Sequence, residues 1–184
     1  MKKIVLVAIV LLMSFKMIAQ PSRNYSDSDD KFAIKLNPLS LFLLTSNISF
    51  EYKIKNNLSA QLGVGYTGIT VSSLKYEGIR LTPEVRFYTK QRAISGFYIA
   101  PYLRYQHYEL SENANKLLYE SFGGGLSFGF QKISPSGFIV DLFVGPSYNS
   151  GNFSVKEGTK TDENLGFGMS GTGIRTGLTI GFAF

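Results

Sequence analysis

The 184-residue chain has no cysteine, no tryptophan and a single histidine. Without cysteine there is no disulfide framework, no lipid-modified N-terminal anchor and no thiolate metal site. Beyond the N-terminal region no stretch approaches ~18 consecutive apolar residues, which excludes a bundle of membrane-spanning helices. The mean hydropathy of +0.04 resembles that of a soluble protein. It is equally compatible with a membrane β-barrel, which spreads its apolar residues over alternate positions. Acids are scarce, 13 against 19 Lys plus Arg, for a formal charge of +6. Lys2, Lys3 and Lys16 lie in an acid-free N-terminal segment, so 19 − 3 = 16 bases face 13 acids elsewhere, about +3. That bias is too weak for nucleic acid to be a partner, and no basic run with interleaved aromatics accompanies it.

What is present begins with a targeting signal. Met1-Lys2-Lys3 is a charged n-region and Ile4 to Phe15 an apolar core, followed by Met17-Ile18-Ala19. The pattern predicts a cleavable signal peptide over 1–19, cut near Ala19-Gln20, because the apolar run is too short to span a bilayer comfortably. Gln20 to Asp30, polar and aperiodic with Asp27, Asp29 and Asp30, reads as a flexible periplasmic lead-in.

From Lys31 the chain alternates. The clearest case is Gly173 to Phe184. Ile174, Thr176, Leu178, Ile180, Phe182 and Phe184 fall on one face, apolar apart from the threonine, whereas Gly173, Arg175, Gly177, Thr179, Gly181 and Ala183 fall on the other. A period of two means a strand with unlike faces. Seven earlier segments repeat it: Phe32 to Pro38, Ile48 to Ile54, Leu58 to Thr67, Ile79 to Tyr88, Phe97 to Tyr108, Phe122 to Gln131 and Phe138 to Tyr148. Short turns (Lys55–Asn57, Thr89–Gly96, Lys132–Gly137) alternate with longer connections (Leu39–Asn47, Gly68–Gly78, Glu109–Ser121, Asn149–Thr172). Together these predict an all-β fold: an eight-stranded antiparallel transmembrane β-barrel in up-and-down order over 31–184, short turns facing the periplasm.

Composition of the faces separates this from a soluble barrel. The polar face is mostly Gly, Ser, Thr, Ala and Gln, which suits a crowded interior, rather than the dense Lys and Glu of a water-facing exterior. The apolar face carries no charge within the segments, as hydrocarbon requires. Aromatics gather at strand ends, Tyr52, Phe97, Phe130, Phe138 and Phe184 on the turn side and Tyr66, Tyr105, Phe122 and Tyr148 on the loop side, as two interfacial belts.

The inward set includes Lys35, Lys53, Arg80, Arg86, Arg104 and Arg175 against Glu51, Glu84 and Asp141. In so narrow a lumen these charges require partners, which predicts an ion-pair plug and no catalytic or metal site. The excess of three bases makes a narrow anion-preferring channel the competing expectation. His107, beside Tyr105 and Tyr108, is the residue a lipid A-modifying enzyme would use. A serine hydrolase would also need a hydroxyl and an acid within reach, and no His-x-Ser arrangement is present. Asn37 to Leu44 reads as an extension of the first two strands, with a rim cap or a lipid contact as alternatives. The last connection, holding Lys156, Glu157, Lys160, Asp162 and Glu163, is a partner-binding surface or a solvated loop, with too few acids for calcium.

Several stretches resemble a family of uncharacterised Gram-negative outer-membrane β-barrel proteins grouped under a domain of unknown function. They are Lys35-Leu36-Asn37-Pro38-Leu39-Ser40, Ile48-Ser49-Phe50-Glu51-Tyr52, Thr82-Pro83-Glu84-Val85-Arg86-Phe87-Tyr88, Gly96-Phe97-Tyr98-Ile99-Ala100-Pro101-Tyr102-Leu103-Arg104-Tyr105 and Gly137-Phe138-Ile139-Val140-Asp141-Leu142-Phe143-Val144-Gly145-Pro146. The resemblance implies a fold and a location, the outer membrane of a Gram-negative bacterium, but no reaction and no catalytic residue. The expected task is a non-catalytic role in envelope integrity or surface interaction, for a monomer without cofactors. Its expected partners are outer-membrane lipid, lipopolysaccharide and the barrel assembly machinery. The aromatic end of the chain, Phe182 and Phe184, resembles the signal that such machinery reads.

Overall fold

The alternation dictates strands, and the strands close into a ring. In the computed structural model the described residues are 30–42, 45–71, 74–89, 94–112, 115–157 and 170–184. The expected signal peptide and all of the lead-in except Asp30 fall outside them. The elements in order are β1 (Phe32–Leu36), α1 (Pro38–Phe42), β2 (Thr45–Lys55), β3 (Leu58–Val71), β4 (Leu74–Tyr88), β5 (Gly96–Glu112), β6 (Asn115–Ile133), β7 (Phe138–Glu157) and β8 (Gly171–Ala183). Each strand pairs antiparallel with its neighbours in sequence, and β1 pairs with β8, giving a closed up-and-down barrel of eight strands among the described residues.

The seam is tight. Lys35 stands opposite Gly181 and Ile34 opposite Phe182. A Cβ on Gly181 would lie 2.0 Å from the Ile34 carbonyl oxygen, so only glycine allows the first and last strands this approach. The Phe184 amide donates to the Phe32 carbonyl at 2.8 Å, and the Phe184 carbonyl accepts from Lys31 N at 2.8 Å.

Side chains sort as a membrane barrel demands. Ile34, Ile48, Phe50, Leu62, Val85, Phe87, Ile99, Leu103, Phe128, Leu142 and Val144 all face outward and are exposed, forming a continuous apolar belt. A soluble monomer rarely exposes an apolar patch above ~300–600 Å². The inward set is rich in buried polar side chains: Lys35, Ser49, Glu51, Ser59, Gln61, Thr82, Glu84, Arg86, Ser127, Gln131, Asp141 and Thr179. Aromatic rings pair at the turn-side edge, Phe32 with Tyr52 at 4.7 Å, Phe97 with Phe130 at 4.6 Å and Phe138 with Phe182 at 5.4 Å. Inside, large rings lie over glycines directly opposite them. Tyr98 covers Gly129, Tyr102 covers Gly125 and Phe143 covers Gly177. The small residues of the inner face are therefore floors for large neighbours.

Two expectations require correction. Of Asn37 to Leu44, expected to extend the first two strands, Leu43 and Leu44 fall outside the described residues, and the remainder does not prolong β1. β1 stops at Leu36 and Pro38–Phe42 forms one helical turn. Asn37 caps it, its Oδ1 accepting from Ser40 N at 3.1 Å, and Pro38 occupies the first turn, where its missing N–H costs nothing. The connections Gly68–Gly78 and Glu109–Ser121, expected as long loops, are almost wholly strand. β3 continues to Val71, β4 starts at Leu74, β5 reaches Glu112 and β6 starts at Asn115. Asn149–Thr172 is likewise strand as far as Glu157, and 158–169 fall outside the described residues.

The physical reason is a reversal of phase. On β5 the outer face is apolar through Tyr105 and polar from His107 and Glu109 onward, whereas the inner face passes from Arg104 and Gln106 to the apolar Tyr108 and Leu110. β6 turns from Leu117 and Tyr119 inward to Phe122 outward, and β7 from Tyr148 outward to Phe153 inward. Tyr108, Leu110, Leu117 and Tyr119 form a buried cluster with Tyr76 and Phe153 packed on it. Tyr76 stacks on Tyr108 at 5.0 Å, and Tyr119 meets Phe153 at 4.7 Å. Above the apolar belt, β4 to β7 thus continue as a collar with an apolar inner face and a polar outer one, the arrangement of a sheet in water.

Candidate functional site

The lumen is built in three layers, each set by which side chains a given height on the strands points inward. At the turn side, Ala33, Ile94, Ile133 and Ile139 are buried together, with Ala183 against them. Ile94 comes from the β4–β5 turn and enters the barrel, only 2% exposed, at a φ of 64°. A β-branched residue at positive φ is strained, so the burial of its side chain must outweigh that cost. Nothing in the alternation pattern assigns this residue a role. Its only signal is one isoleucine in an otherwise polar or small turn.

The middle layer is a network of charges. Lys35 Nζ donates to Glu51 Oε2 at 2.6 Å, Gln131 Oε1 at 2.6 Å and Asp141 Oδ2 at 3.2 Å. Arg86 donates through Nε to Glu84 Oε1 at 2.6 Å, and through Nη1 to Asp141 Oδ2 at 2.8 Å and Gln131 Oε1 at 3.1 Å. Arg175 Nη1 donates to the second Glu84 oxygen at 2.6 Å and to Ser127 Oγ at 3.0 Å. The remaining carboxylate lone pairs are also used. Glu51 Oε1 accepts from Tyr88 at 2.6 Å and Ser59 at 2.5 Å, and Asp141 Oδ1 from Tyr98 at 2.8 Å. Arg86 is stacked on the Tyr98 ring at 4.3 Å. Three bases thus meet three acids, fully buried apart from the partly accessible Arg175. Buried charges are tolerated only under such complete pairing.

Of the nine inward ionisable residues, Lys35, Glu51, Glu84, Arg86, Asp141 and Arg175 join this network. Lys53 stands apart near the β2–β3 turn. Arg80 and Arg104 lie on the loop side of the network and make no ion pair among the described residues. The partners missed from sequence include Gln131, Tyr88 and Tyr98, together with Ser59 and Ser127. Gln131, the one long amide among inward glycines of β6, bridges Lys35, Arg86 and Glu51, and its Nε2 also donates to the Ile94 carbonyl at 2.7 Å. It ties the charged layer to the apolar lid.

The third layer is open space. A cavity of about 440 Å³ lies on the loop side of the network, lined by Arg80, Arg104, Arg175, Gln61, Thr82 and Phe143, with Asn37, Leu39 and Ser40 of the α1 segment beside them. His107 lies elsewhere, on the outer face, its Nδ1 3.0 Å from Glu120 Oε1, an oxygen that also accepts from Tyr105 at 3.2 Å. Ser111 bonds to Glu109 instead, at 3.5 Å. An acid therefore stands beside His107, whereas no serine hydroxyl bonds to it among the described residues. Among the described residues no group of three or more His, Asp or Glu side chains could hold a metal ion. Phe182 packs on Phe138 at the turn-side edge, and Phe184 is 63% exposed on the outer face.

A closed eight-stranded barrel with a charge-paired lumen and an apolar exterior defines the class of protein. The chain belongs to the family described as a protein of unknown function, DUF3575, whose model matches residues 5–164. It is similar to the N-terminal β-barrel domain of Pseudomonas aeruginosa OprF, at 14% identity over 86% of this chain and 100% of that one, with a TM-score of 0.47. It is also similar to Acinetobacter baumannii CarO, at 13% identity over 84% of this chain and 98% of that one, with a TM-score of 0.45. No curated protein matches the chain.

Proposed function

We propose that the protein is a non-catalytic, non-conducting barrel of the Gram-negative outer membrane that serves envelope integrity or surface interaction through the collar of β4 to β7. The observation that carries this reading is the reversal of phase. Between Tyr105 and Tyr108 on β5, and between Phe122 and Tyr119 on β6, the apolar face passes from outside to inside. Such a switch marks the height at which lipid gives way to water. Phe97 and Tyr105 bound the apolar part of β5 about eight residues apart, close to the ~9–11 residues of a tilted spanning strand. β6 and β7, at 19 and 20 residues, exceed that length and supply a rigid surface beyond the lipid. Exposed segments on a stiff frame carry binding more often than the frame itself. The charges below are buried and paired with one another in a narrow lumen, which favours an adhesive or structural role over transport.

In this reading the barrel is a monomer in contact with outer-membrane lipid and lipopolysaccharide, inserted by the assembly machinery through Phe182 and Phe184. The natural absence of cysteine makes placement testable on intact cells. A membrane-impermeant maleimide should label Lys75→Cys on the collar and leave Leu103→Cys in the belt untouched; labelling of Leu103→Cys, or recovery as a soluble periplasmic species, overturns the placement. The role is tested by complementation. A deletion strain should show an envelope or surface-binding defect. The full chain should restore it, and a chain with residues 108–119 replaced by a short turn should not, although its barrel accumulates normally. Full rescue by the trimmed chain overturns the collar's role.

A further inference from the structure

The cavity on the loop side of the charged layer has a chemistry of its own. We propose that it is a blind binding site for a dianionic, phosphate-type ligand, held by Arg80 and Arg104 with Arg175 at its floor. Three observations converge there. First, charge: the middle layer is neutral, three bases against three acids, so Arg80 and Arg104 add two positive charges that no carboxylate among the described residues compensates. Second, unsatisfied groups: Gln61 is 6% exposed and lines the cavity with Oε1 unpartnered, and Arg104, also in the lining, leaves its buried Nε without a partner. Buried polar groups without partners are rare in native proteins and point to an absent ligand or water. Amide orientation is interchangeable, so Gln61 can present its NH₂ to an anion. Third, preorganisation: Arg175 is fixed by Glu84 and by the faces of Tyr102 at 4.2 Å and Phe143 at 4.6 Å, and Arg104 lies 5.5 Å from the Tyr102 ring centroid. The Arg80 guanidinium lies across Gly65, where a Cβ would come within 3.3 Å of its Nε.

The ligand class follows from these features. Guanidinium forks match the paired oxygens of phosphate. A phosphate monoester carries about −1.5 to −2 at pH 7, which balances the two uncompensated arginines, whereas one carboxylate would leave one unmatched. The volume of about 440 Å³ exceeds what a bare phosphate needs and lies within the ~300–1,000 Å³ range of small-molecule sites, leaving room for an attached sugar-sized group. Below the site the paired charges and the Ile94 lid close the lumen, so an anion that enters does not pass through. This inference is independent of the collar's role, since a collar without partners would leave the cavity unchanged.

The phosphate could belong to a soluble ester or to a lipid headgroup, and two arms separate them. In the first, the folded barrel in detergent micelles free of lipopolysaccharide is titrated calorimetrically with inorganic phosphate and glucose 6-phosphate. In the second, the barrel in lipid nanodiscs is compared with native and with dephosphorylated lipopolysaccharide, reading the arginine side-chain NMR signals. Binding in the first arm assigns a soluble ester. A response only to native lipopolysaccharide in the second assigns a headgroup. In whichever arm responds, Arg80→Gln and Arg104→Gln should each weaken binding at least tenfold, and Lys53→Gln, beyond the charged layer, should leave it unchanged. Heat-modifiable gel mobility verifies folding. Where a Gln variant fails to fold, Arg80→Lys or Arg104→Lys replaces it, keeping the charge but losing the fork, and should still weaken binding. No response in either arm, or binding that survives loss of both arginines, overturns the proposal.

Discussion

Asp141 offers the sharpest test of how the lumen is held. It accepts from Lys35 at 3.2 Å, Arg86 at 2.8 Å, Tyr98 at 2.8 Å and Thr179 at 3.4 Å. Asp141→Asn preserves its shape but leaves Lys35, Arg86 and Arg175 facing only Glu51 and Glu84. One buried positive charge is then uncompensated, and breaking a buried pair in this way costs about 3–5 kcal/mol. That is a large fraction of the ~5–15 kcal/mol that separates folded from unfolded in ordinary domains. The assay is urea unfolding of the barrel in lipid vesicles. With no tryptophan in the chain, it is followed by far-ultraviolet circular dichroism and heat-modifiable gel mobility. Removing Lys35 as well, in Asp141→Asn/Lys35→Met, restores the charge balance. The double variant should therefore be more stable than the sum of the single effects implies, by a coupling of ~0.5–3 kcal/mol. An Asp141→Asn barrel within about 1 kcal/mol of wild type, or strictly additive effects, would refute the claim that these charges act as one closed set.

Three further expectations rest on separate contacts. A Cβ at Gly129 would lie 2.3 Å from the Tyr98 ring, so Gly129→Val should displace Tyr98 from Asp141 and destabilise by about 1–3 kcal/mol; near wild-type unfolding in urea would show that the ring has room to move. At Ile94, both Ala and Gly lose the buried side chain, but only Gly relaxes at a φ of 64°, so Ile94→Gly should be about 1 kcal/mol more stable than Ile94→Ala in the same assay. Deleting Phe184 should lower the amount of assembled barrel in the membrane while leaving the unfolding of the assembled fraction nearly unchanged; normal membrane levels of the truncated chain would speak against an assembly role.

Most of the barrel could be read from period-two alternation, because lipid outside and a crowded lumen inside impose opposite demands on successive residues. Ile48 to Ile54 and Gly173 to Phe184 keep one phase throughout and were legible for that reason. The collar was not, because its alternation is reversed: Tyr108 and Leu110 continue β5 on the face that carries Arg104 and Gln106 lower down. A reading that expects one apolar face per strand meets that reversal as a break and takes it for a loop. The α1 turn was hidden differently, its signal being local, Asn37 before Pro38 with Ser40 to bond back, inside a run apolar enough to pass as strand. For the lumen, which charges point inward followed from parity alone. Which of them meet did not, since Lys35, Arg86 and Asp141 converge from β1, β4 and β7 at a height that strand stagger determines. Parity likewise could not separate Arg80 and Arg104, left over on the loop side, from Lys53, left over near the turns.

The central claim is that the lumen is closed, by Ile94 and its neighbours on one side and by six paired charges above them. Planar-bilayer recording on the purified, refolded barrel tests this most directly. The account predicts no conductance steps at any voltage the bilayer withstands, and their appearance in a variant that lacks both Ile94 and Asp141. Steady unitary steps from the wild-type barrel would contradict it.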